Sequence, residues 1–588
     1  MHDPESPLKI TILSLGDHSP PLALPATPPE GIAALESVRL PPPARAARSV
    51  PTSRRGKPPV LAPAPASPAW VELPEEVAEA LGQVVLVVAA GFQPAWETLH
   101  QAVERLRHER ALGLVYGDVQ GPSAGLLGTP ARQVAPDFPG RNAYLRAPFQ
   151  VPLVLLKREA LRELPGLPAV HDACLGSALV AAVASSWLVW RAPELLATSE
   201  RQAADLPVTD CRLCHLAGGC SLARDRFALC GYQGYRPFKI SFILTTRCNM
   251  DCKYCFTRRH NWDIPWEDAR RMLIQAHDLG AREVAISGGE PSLYRDLDDL
   301  FELCRTLDMQ VTVFSNGWHW PEERLQRFLS YDKLDVAISM EGVSEDTNDE
   351  LRGWHAHAEV TEFVRNIRRI RPDQRIWGIV VITPENLGDL DAIAGFFLDE
   401  LHLSGIRYDR AVPTGNALDA RIGNFDLTRT FLARTEEIKQ RYPGRVNTCN
   451  VSFGTLCPML ESQDAFEVSV FANGLLPPCV FLYDDEQLAL GTTQDDLLDV
   501  LRLDRMQQAA DKLRVLASHR DRLLAEKGIF NCVECMETYN ALRESGELDA
   551  YLNLRSRMPI PAGGSLSLEP PTRLPAPRGA DGPLILLG

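Results

Sequence analysis

Residues 239–256 read Lys239-Ile-Ser-Phe-Ile-Leu-Thr-Thr-Arg-Cys248-Asn-Met-Asp-Cys252-Lys-Tyr-Cys255-Phe256. The apolar run over Lys239–Thr245 predicts a buried strand. The polar segment behind it carries three cysteines in the spacing Cys-x3-Cys-x2-Cys. Three thiolates from one short loop can hold three irons of a [4Fe–4S] cluster and leave the fourth iron without a protein ligand. An open metal position can take a small molecule. The competing readings are three reduced thiols in a loop, or a zinc site. Zinc takes four ligands in a closed tetrahedron, one more than this loop supplies.

Working outward, the chain alternates strand and helix from Arg236 to about Gly415. Strands are predicted at Lys239–Thr245, Glu283–Ser287, Gln310–Ser315, Asp335–Met340, Ile376–Thr383 and Gly405–Arg410. Helices fall between them, as at Trp266–Leu279 and Leu297–Thr306. Such alternation implies an α/β fold with a parallel sheet and outer helices, an open or closed (β/α) barrel. Chemistry in such barrels sits at the carboxyl ends of the strands.

The cysteine loop, placed after the first strand, resembles that of the radical S-adenosylmethionine (SAM) enzymes. The resemblance implies a partial (β/α)6 barrel and a [4Fe–4S] cluster that binds SAM. It also implies reductive cleavage of SAM to methionine and a 5′-deoxyadenosyl radical that abstracts hydrogen from a substrate. The second strand ends in Ser287-Gly288-Gly289-Glu290-Pro291, which resembles the segment that binds the amino group of SAM. Its glycines allow close backbone approach to a ligand, and the Glu290 carboxylate could pair with an ammonium. Ser315-Asn316 and Ser339-Met340-Glu341 end the next two strands, where the family contacts the ribose or the methionine carboxylate. The family often has Asp where Glu341 stands. Arg352-Gly353 resembles the family's Arg-Gly, and the Arg352 fork suits a carboxylate; a surface salt bridge is the alternative. Tyr254 matches the aromatic position beside the adenine, with ordinary packing as the alternative.

Beyond the barrel come Cys457, Gly474-Leu-Leu-Pro-Pro-Cys479 and Cys532-Val-Glu-Cys535. Four thiolates suit a fully ligated [4Fe–4S] cluster or a structural zinc. The set resembles the SPASM/twitch extension of radical SAM enzymes. Val480–Asn531 contains no cysteine, so the shorter twitch form with one auxiliary cluster fits better than a full SPASM domain. Upstream lie Cys211, Cys214, Cys220 and Cys230, with His215 among them. They form a third metal-binding set, either iron–sulfur or zinc. Cys304 is expected to pack in a helix, Cys449 is a reserve ligand near Cys457, and Cys174 has no partner pattern.

The 588 residues suggest about four domains. The formal charge of −15 argues against nucleic acid and anionic membranes as partners. Fourteen cysteines are too sparse for a disulfide scaffold, so their spacing carries the information. Met1–Gly16 has no basic region followed by a long apolar one, and no apolar run is long enough to span a bilayer. A cytoplasmic protein is expected.

Residues 1–69 are expected to be a Pro-rich, largely disordered leader, with one strand at Leu8–Leu15 and an extended linker over Pro20–Pro68. Residues 70–207 resemble a degenerate family 2 glycosyltransferase domain of the GT-A fold. The resemblance rests on Gly113-Leu-Val-Tyr-Gly-Asp-Val119, Pro152–Leu161 and Asp172. The acidic metal site is missing after Val84–Val88, and the first nucleotide-binding strand has no clear counterpart. A generic α/β domain is the alternative. Residues 208–235 form the Cys-rich segment, 236–440 the radical SAM core, 441–556 the auxiliary-cluster domain and 557–588 a Pro/Gly-rich tail.

Three functions follow as expectations. The first is a radical SAM enzyme that oxidises or cross-links a peptide or protein. The second is a dehydrogenase or epimerase acting on a sugar, aminoglycoside or nucleotide. The third is a non-catalytic iron–sulfur or zinc binding module. Either enzyme would take electrons from a donor such as a flavodoxin or ferredoxin.

Overall fold

The computed structural model describes residues 8–15, 32–40, 70–71, 73, 81–88, 92–96, 98–121, 131–133, 141, 151, 153–168, 175–199, 234–419, 428–449, 451–453, 466–510, 512 and 529–548. Contacts divide the chain into two compact units, Met1–Gln233 with Arg270–Leu279, and Gly234–Ala269 with Gly280–Gly588.

The second unit is built on a parallel sheet of eight strands: β1 (Pro237–Ile243), β2 (Glu283–Ser287), β3 (Gln310–Ser315), β4 (Leu334–Ser339), β5 (Ile376–Ile382), β6 (Gly405–Arg410), β7 (Val446–Cys449) and β8 (Phe466–Phe471). Their order is β7-β6-β5-β4-β3-β2-β1-β8. Between them run α1 (Trp266–Leu279), α2 (Leu297–Thr306), α3 (Glu322–Leu329), α4 (Glu345–Arg352) and α5 (Ala356–Ile370). Strand order that follows chain order, with helical crossovers, is the pattern of a (β/α) barrel. The parallel strands are near-continuous apolar runs because helices cover one face and the barrel interior the other. Helix α2 buries Leu297, Leu300, Phe301, Leu303 and Cys304, so Cys304 is a packing residue. Phe301 stacks on Phe328 of α3 at 3.8 Å.

The sheet is larger than the expected six strands. Val446–Cys449 and Phe466–Phe471 are its two edges, so the barrel continues past residue 440, the expected end of the core. Val446-Asn-Thr-Cys449 is a four-residue edge strand with no apolar run.

In the first unit, Val84–Val88 is central, with Leu8–Leu15 parallel to it on one side and Leu153–Lys157 antiparallel on the other. Leu112–Gly121 and Leu188–Ser199 extend the sheet beyond Leu153–Lys157. Residues 32–40 correct the expectation of an uninterrupted linker. Ile32–Leu40 is a strand, paired in parallel with Leu8–Leu15. Its backbone bonds are made to a neighbouring strand, which outweighs the prolines that flank it in sequence. Leu8–Leu15 is part of this unit's core, with Ile10 and Ile12 fully buried. The Cys211–Cys230 set, Cys174, Asp172 and the tail lie outside the described residues. Among the described residues, no helix is long and apolar enough to cross a membrane.

Candidate functional site

The loop that follows β1 is held from four directions at the carboxyl end of the barrel. From β2, Gly289 N–H donates to Thr245 C=O at 2.6 Å and Glu290 N–H to Arg247 C=O at 2.9 Å. From β3, Asn316 Nδ2 donates to Asn249 Oδ1 at 2.7 Å and lies 3.8 Å from Cys248 Sγ. From the end of α4, Leu351 C=O accepts from Lys253 N–H at 3.0 Å. After β6, Asn416 N–H donates to Cys255 C=O at 2.8 Å. A short polar loop with three cysteines cannot fix its own shape, so these neighbours set it.

Cys248, Cys252 and Cys255 are unpaired by disulfide and line a cavity of about 390 Å³. Tyr254, Gly288, Gly289, Ser315, Asn316, Ser339, Glu341 and Arg352 line the same cavity. Short motifs spread from Cys248 to Arg352 in sequence therefore meet at one place.

The glycines of the Gly-Gly-Glu segment are explained by the loop itself. A Cβ on Gly289 would stand 2.2 Å from Arg247 C=O and 3.0 Å from Cys248 Cβ. A Cβ on Gly288 would stand 2.8 Å from Thr245 C=O. The close approach expected toward a ligand is made to the cysteine loop. Glu290 is fully buried, one residue past the cavity-lining glycines. Its carboxylate accepts from Ser292 N–H at 3.1 Å, Ser315 Oγ at 2.9 Å and Asn316 N–H at 2.8 Å. Burial pushes its pKa up, and these three donors pull it back.

Arg352 is not a surface salt bridge. It is 4% exposed, and its Nη1 donates to Glu341 Oε2 at 2.8 Å and to Tyr254 OH at 2.7 Å. Its Nη2 lies 3.6 Å from Met250 Sδ. Burial works against the charge of Arg352, while Glu341, Tyr254 and Cys252 together hold its pKa well above the usual guanidinium range. Cys252 Sγ lies 3.8 Å from Arg352 C=O, and burial pushes its thiol up to about 12. Cys248 is raised too, first by burial.

The donor set fits a cationic cluster and a carboxylate-bearing ligand. The raised thiols of Cys248 and Cys252 resist losing protons on their own, and coordination to iron removes that penalty. Arg352 Nε is buried without a hydrogen-bond partner. An orphaned buried donor costs stability, and a carboxylate bound in the cavity would satisfy it. Among the described residues, no three His, Cys, Asp or Glu side chains are grouped to hold a single metal ion.

The second cysteine set is described in part. Cys479 caps the 3-10 turn Val480–Leu482, and Val480 and Phe481 line the cavity. Leu475–Leu476 pairs antiparallel with Gly491–Thr492, and Gly474 begins that hairpin with φ +82. Asp268 anchors the hairpin by accepting from Thr493 Oγ1 at 2.8 Å. The Phe481 ring meets Phe256 edge-on at 5.8 Å. Cys532 and Cys535 lie one turn apart on α6 (Cys532–Glu544), on one helix face. Cys457 lies outside the described residues.

Sequence reasoning missed Lys239, Ser241, Glu467, Arg407 and Asp409 on the far wall of the cavity, where Cys449, expected as a reserve ligand, also lies. Inward alternation of Lys239, Ser241 and Ile243 along β1 was the available signal.

A parallel half-barrel with a cysteine triad at its carboxyl end defines a class, and comparison with known proteins names it. Residues 242–397 match the model of the radical SAM superfamily, so this part of the chain is a radical SAM domain. Its relatives include the mycofactocin maturase MftC of Mycobacterium ulcerans, 26% identical over 187 residues, which are 31% of this chain and 50% of that one. The PqqA peptide cyclase of Bradyrhizobium diazoefficiens is 24% identical over 221 residues, 36% of this chain and 57% of that one. The chain thus spans little more than half the length of these relatives. Among solved structures, SuiB of Streptococcus suis bound to the precursor peptide SuiA aligns with a TM-score of 0.41 and 19% identity, over 48% of this chain and 70% of that one. A radical SAM domain implies a [4Fe–4S] cluster and SAM.

Proposed function

We infer that the protein is a radical SAM enzyme that oxidises or cross-links a peptide. The observation that carries this reading is the meeting of Cys248, Cys252 and Cys255 with Ser315, Asn316, Ser339, Glu341 and Arg352 around one cavity. Bound there, a [4Fe–4S] cluster and SAM would supply reductive cleavage of SAM and a 5′-deoxyadenosyl radical.

The chain's own residues position and shield. The three thiolates hold the cluster. Arg352 offers its unpartnered Nε to the SAM carboxylate, and Tyr254 holds Arg352 in place. Gly288 and Gly289 let the β2 end close on the cysteine loop, and Glu290 fixes the Ser315-Asn316 turn. Apolar Ile379, Val381 and Phe256 line the same space and limit water around a reactive radical.

We assign Cys457, Cys479, Cys532 and Cys535 as the thiolates that would hold one auxiliary [4Fe–4S] cluster, which would supply an electron acceptor for the oxidation or an anchor for the substrate. Cys211, Cys214, Cys220 and Cys230 make a third metal site, with iron favoured over zinc. The N-terminal unit is read as a degenerate transferase-like recognition domain, and a flavodoxin or ferredoxin as the electron donor. Peptide chemistry is favoured by the maturase and peptide cyclase among the relatives.

The test is co-expression with short peptides encoded beside the gene, followed by mass spectrometry. Loss of two hydrogen atoms from one peptide is expected. Unmodified peptides, with turnover of a sugar or nucleotide instead, would support the small-molecule reading. Iron and sulfide counts separate two clusters from three.

A further inference from the structure

The cavity has a wall that the SAM and cluster motifs do not use. Lys239 on β1 is the registered neighbour of Glu467 on β8, and its Nζ lies 3.1 Å from Glu467 Oε2. Ser241 donates its hydroxyl to the other oxygen of the same carboxylate. On β6, Arg407 donates from Nε and Nη2 to both oxygens of Asp409, at 2.8 and 2.7 Å. Cys449 on β7 is the registered neighbour of Asp409. Both ion pairs and Cys449 line the same cavity, on strands at or next to the two edges of the sheet.

These side chains remain partly open to the cavity. The exposures are 24% for Lys239, 36% for Glu467, 33% for Arg407 and 13% for Asp409. An ion pair that served packing alone would be expected to bury its polar atoms or to face bulk solvent. Each group also has unused capacity. Lys239 has two further N–H donors, Arg407 three, and each carboxylate has spare lone pairs. The formal charges alternate and sum to zero. A net anion brought here would meet Glu467 and Asp409, and a net cation would meet Lys239 and Arg407; both would be penalised. A neutral group with one acceptor and one donor can use both kinds of partner.

We propose that this wall binds a backbone amide of the substrate, with its C=O on Lys239 or Arg407 and its N–H on Glu467 or Asp409. The inference rests on the peptide reading above and deepens it. Recognition of one peptide unit is independent of side-chain identity. It holds the chain against the far wall while the target side chain faces the SAM end.

The probe is N-methylacetamide, a single secondary amide, tested by saturation-transfer NMR on the anaerobically reconstituted full chain with SAM bound. The controls are N,N-dimethylacetamide, which keeps the C=O but lacks the N–H, and free L-alanine, a zwitterion. The secondary amide should bind about fivefold more tightly than the dimethylamide, the effect of one net hydrogen bond, and free alanine should bind more weakly than either. Glu467→Gln should lower binding of the secondary amide with unchanged SAM affinity. Equal binding of the two amides, or tighter binding of free alanine, overturns the proposal, and this comparison needs no variant. The readout involves no turnover. Failure of the amide series with normal SAM cleavage removes only this inference, while absence of SAM cleavage removes the function itself.

Discussion

Glu341 and Arg352 form an ion pair with 0% and 4% side-chain exposure, closed at 2.8 Å between Oε2 and Nη1. Glu341 ends β4 and Arg352 ends α4, and Asn348 Oδ1 accepts from Glu341 N–H at 2.8 Å to hold the turn between them. Removing one partner of such a pair strands a buried charge. Glu341→Gln is therefore expected to lower stability by about 3 kcal/mol, read by urea unfolding. Arg352→Lys keeps the charge but loses the fork that reaches both Glu341 and Tyr254. It should weaken SAM binding with a smaller loss of stability. Unfolding midpoints together with SAM titrations separate the two effects.

Glu290 receives three hydrogen bonds and donates none. Glu290→Gln would turn an amide N–H2 toward at least one of these donors. A stability loss of about 1–3 kcal/mol is expected, with weakened SAM binding because Ser315 and Asn316 line the cavity. Calorimetric titration with SAM checks it.

Gly289→Ala should act on the cysteine loop. The new Cβ would stand 2.2 Å from Arg247 C=O, a backbone atom that cannot swing aside. The variant should retain less iron and sulfide after anaerobic reconstitution, at wild-type secondary-structure content. Gly280→Ala is the control, since a Cβ there meets nothing within 4 Å; its φ of +117 predicts a modest stability cost and full iron content.

Lys157 makes stability depend on pH. Burial lowers its pKa from 10.5 to about 8. Its Nζ donates to Glu109 C=O at 2.6 Å. Between about pH 8 and 10.5 the unfolded chain binds more protons at this site than the folded one. Stability contributed here therefore rises with pH across that window and is flat below it. Lys157→Met should remove the slope, as read by denaturant unfolding at pH 7.5, 8.5 and 9.5. An unchanged slope would contradict the assignment.

Much of the barrel was legible because its strands are short apolar or alternating runs separated by helical patterns. Glu283–Ser287, Gln310–Ser315 and Gly405–Arg410, with α1 and α2, have the bounds their sequence patterns predict. The edge strand Val446–Cys449 was not legible, since it is short and polar. Phe466–Phe471 alternates well, but its place beside β1 depends on a pairing more than two hundred residues apart. Ile32–Leu40 was hidden by its prolines. The cysteine triad was readable from its spacing, and the ends of β2, β3 and β4 from their resemblance to radical SAM motifs. The Glu341–Arg352–Tyr254 network was not, because each residue's partner is set by how β4 and α4 return to the loop. The pair Lys239 and Glu467 is equally non-local.

The central claim is that the cavity cleaves SAM. The most direct measurement is 5′-deoxyadenosine release by the anaerobically reconstituted full chain with dithionite and SAM, against a Cys252→Ala control. The account predicts 5′-deoxyadenosine from the wild type and background from the variant. Equal background from both would contradict it.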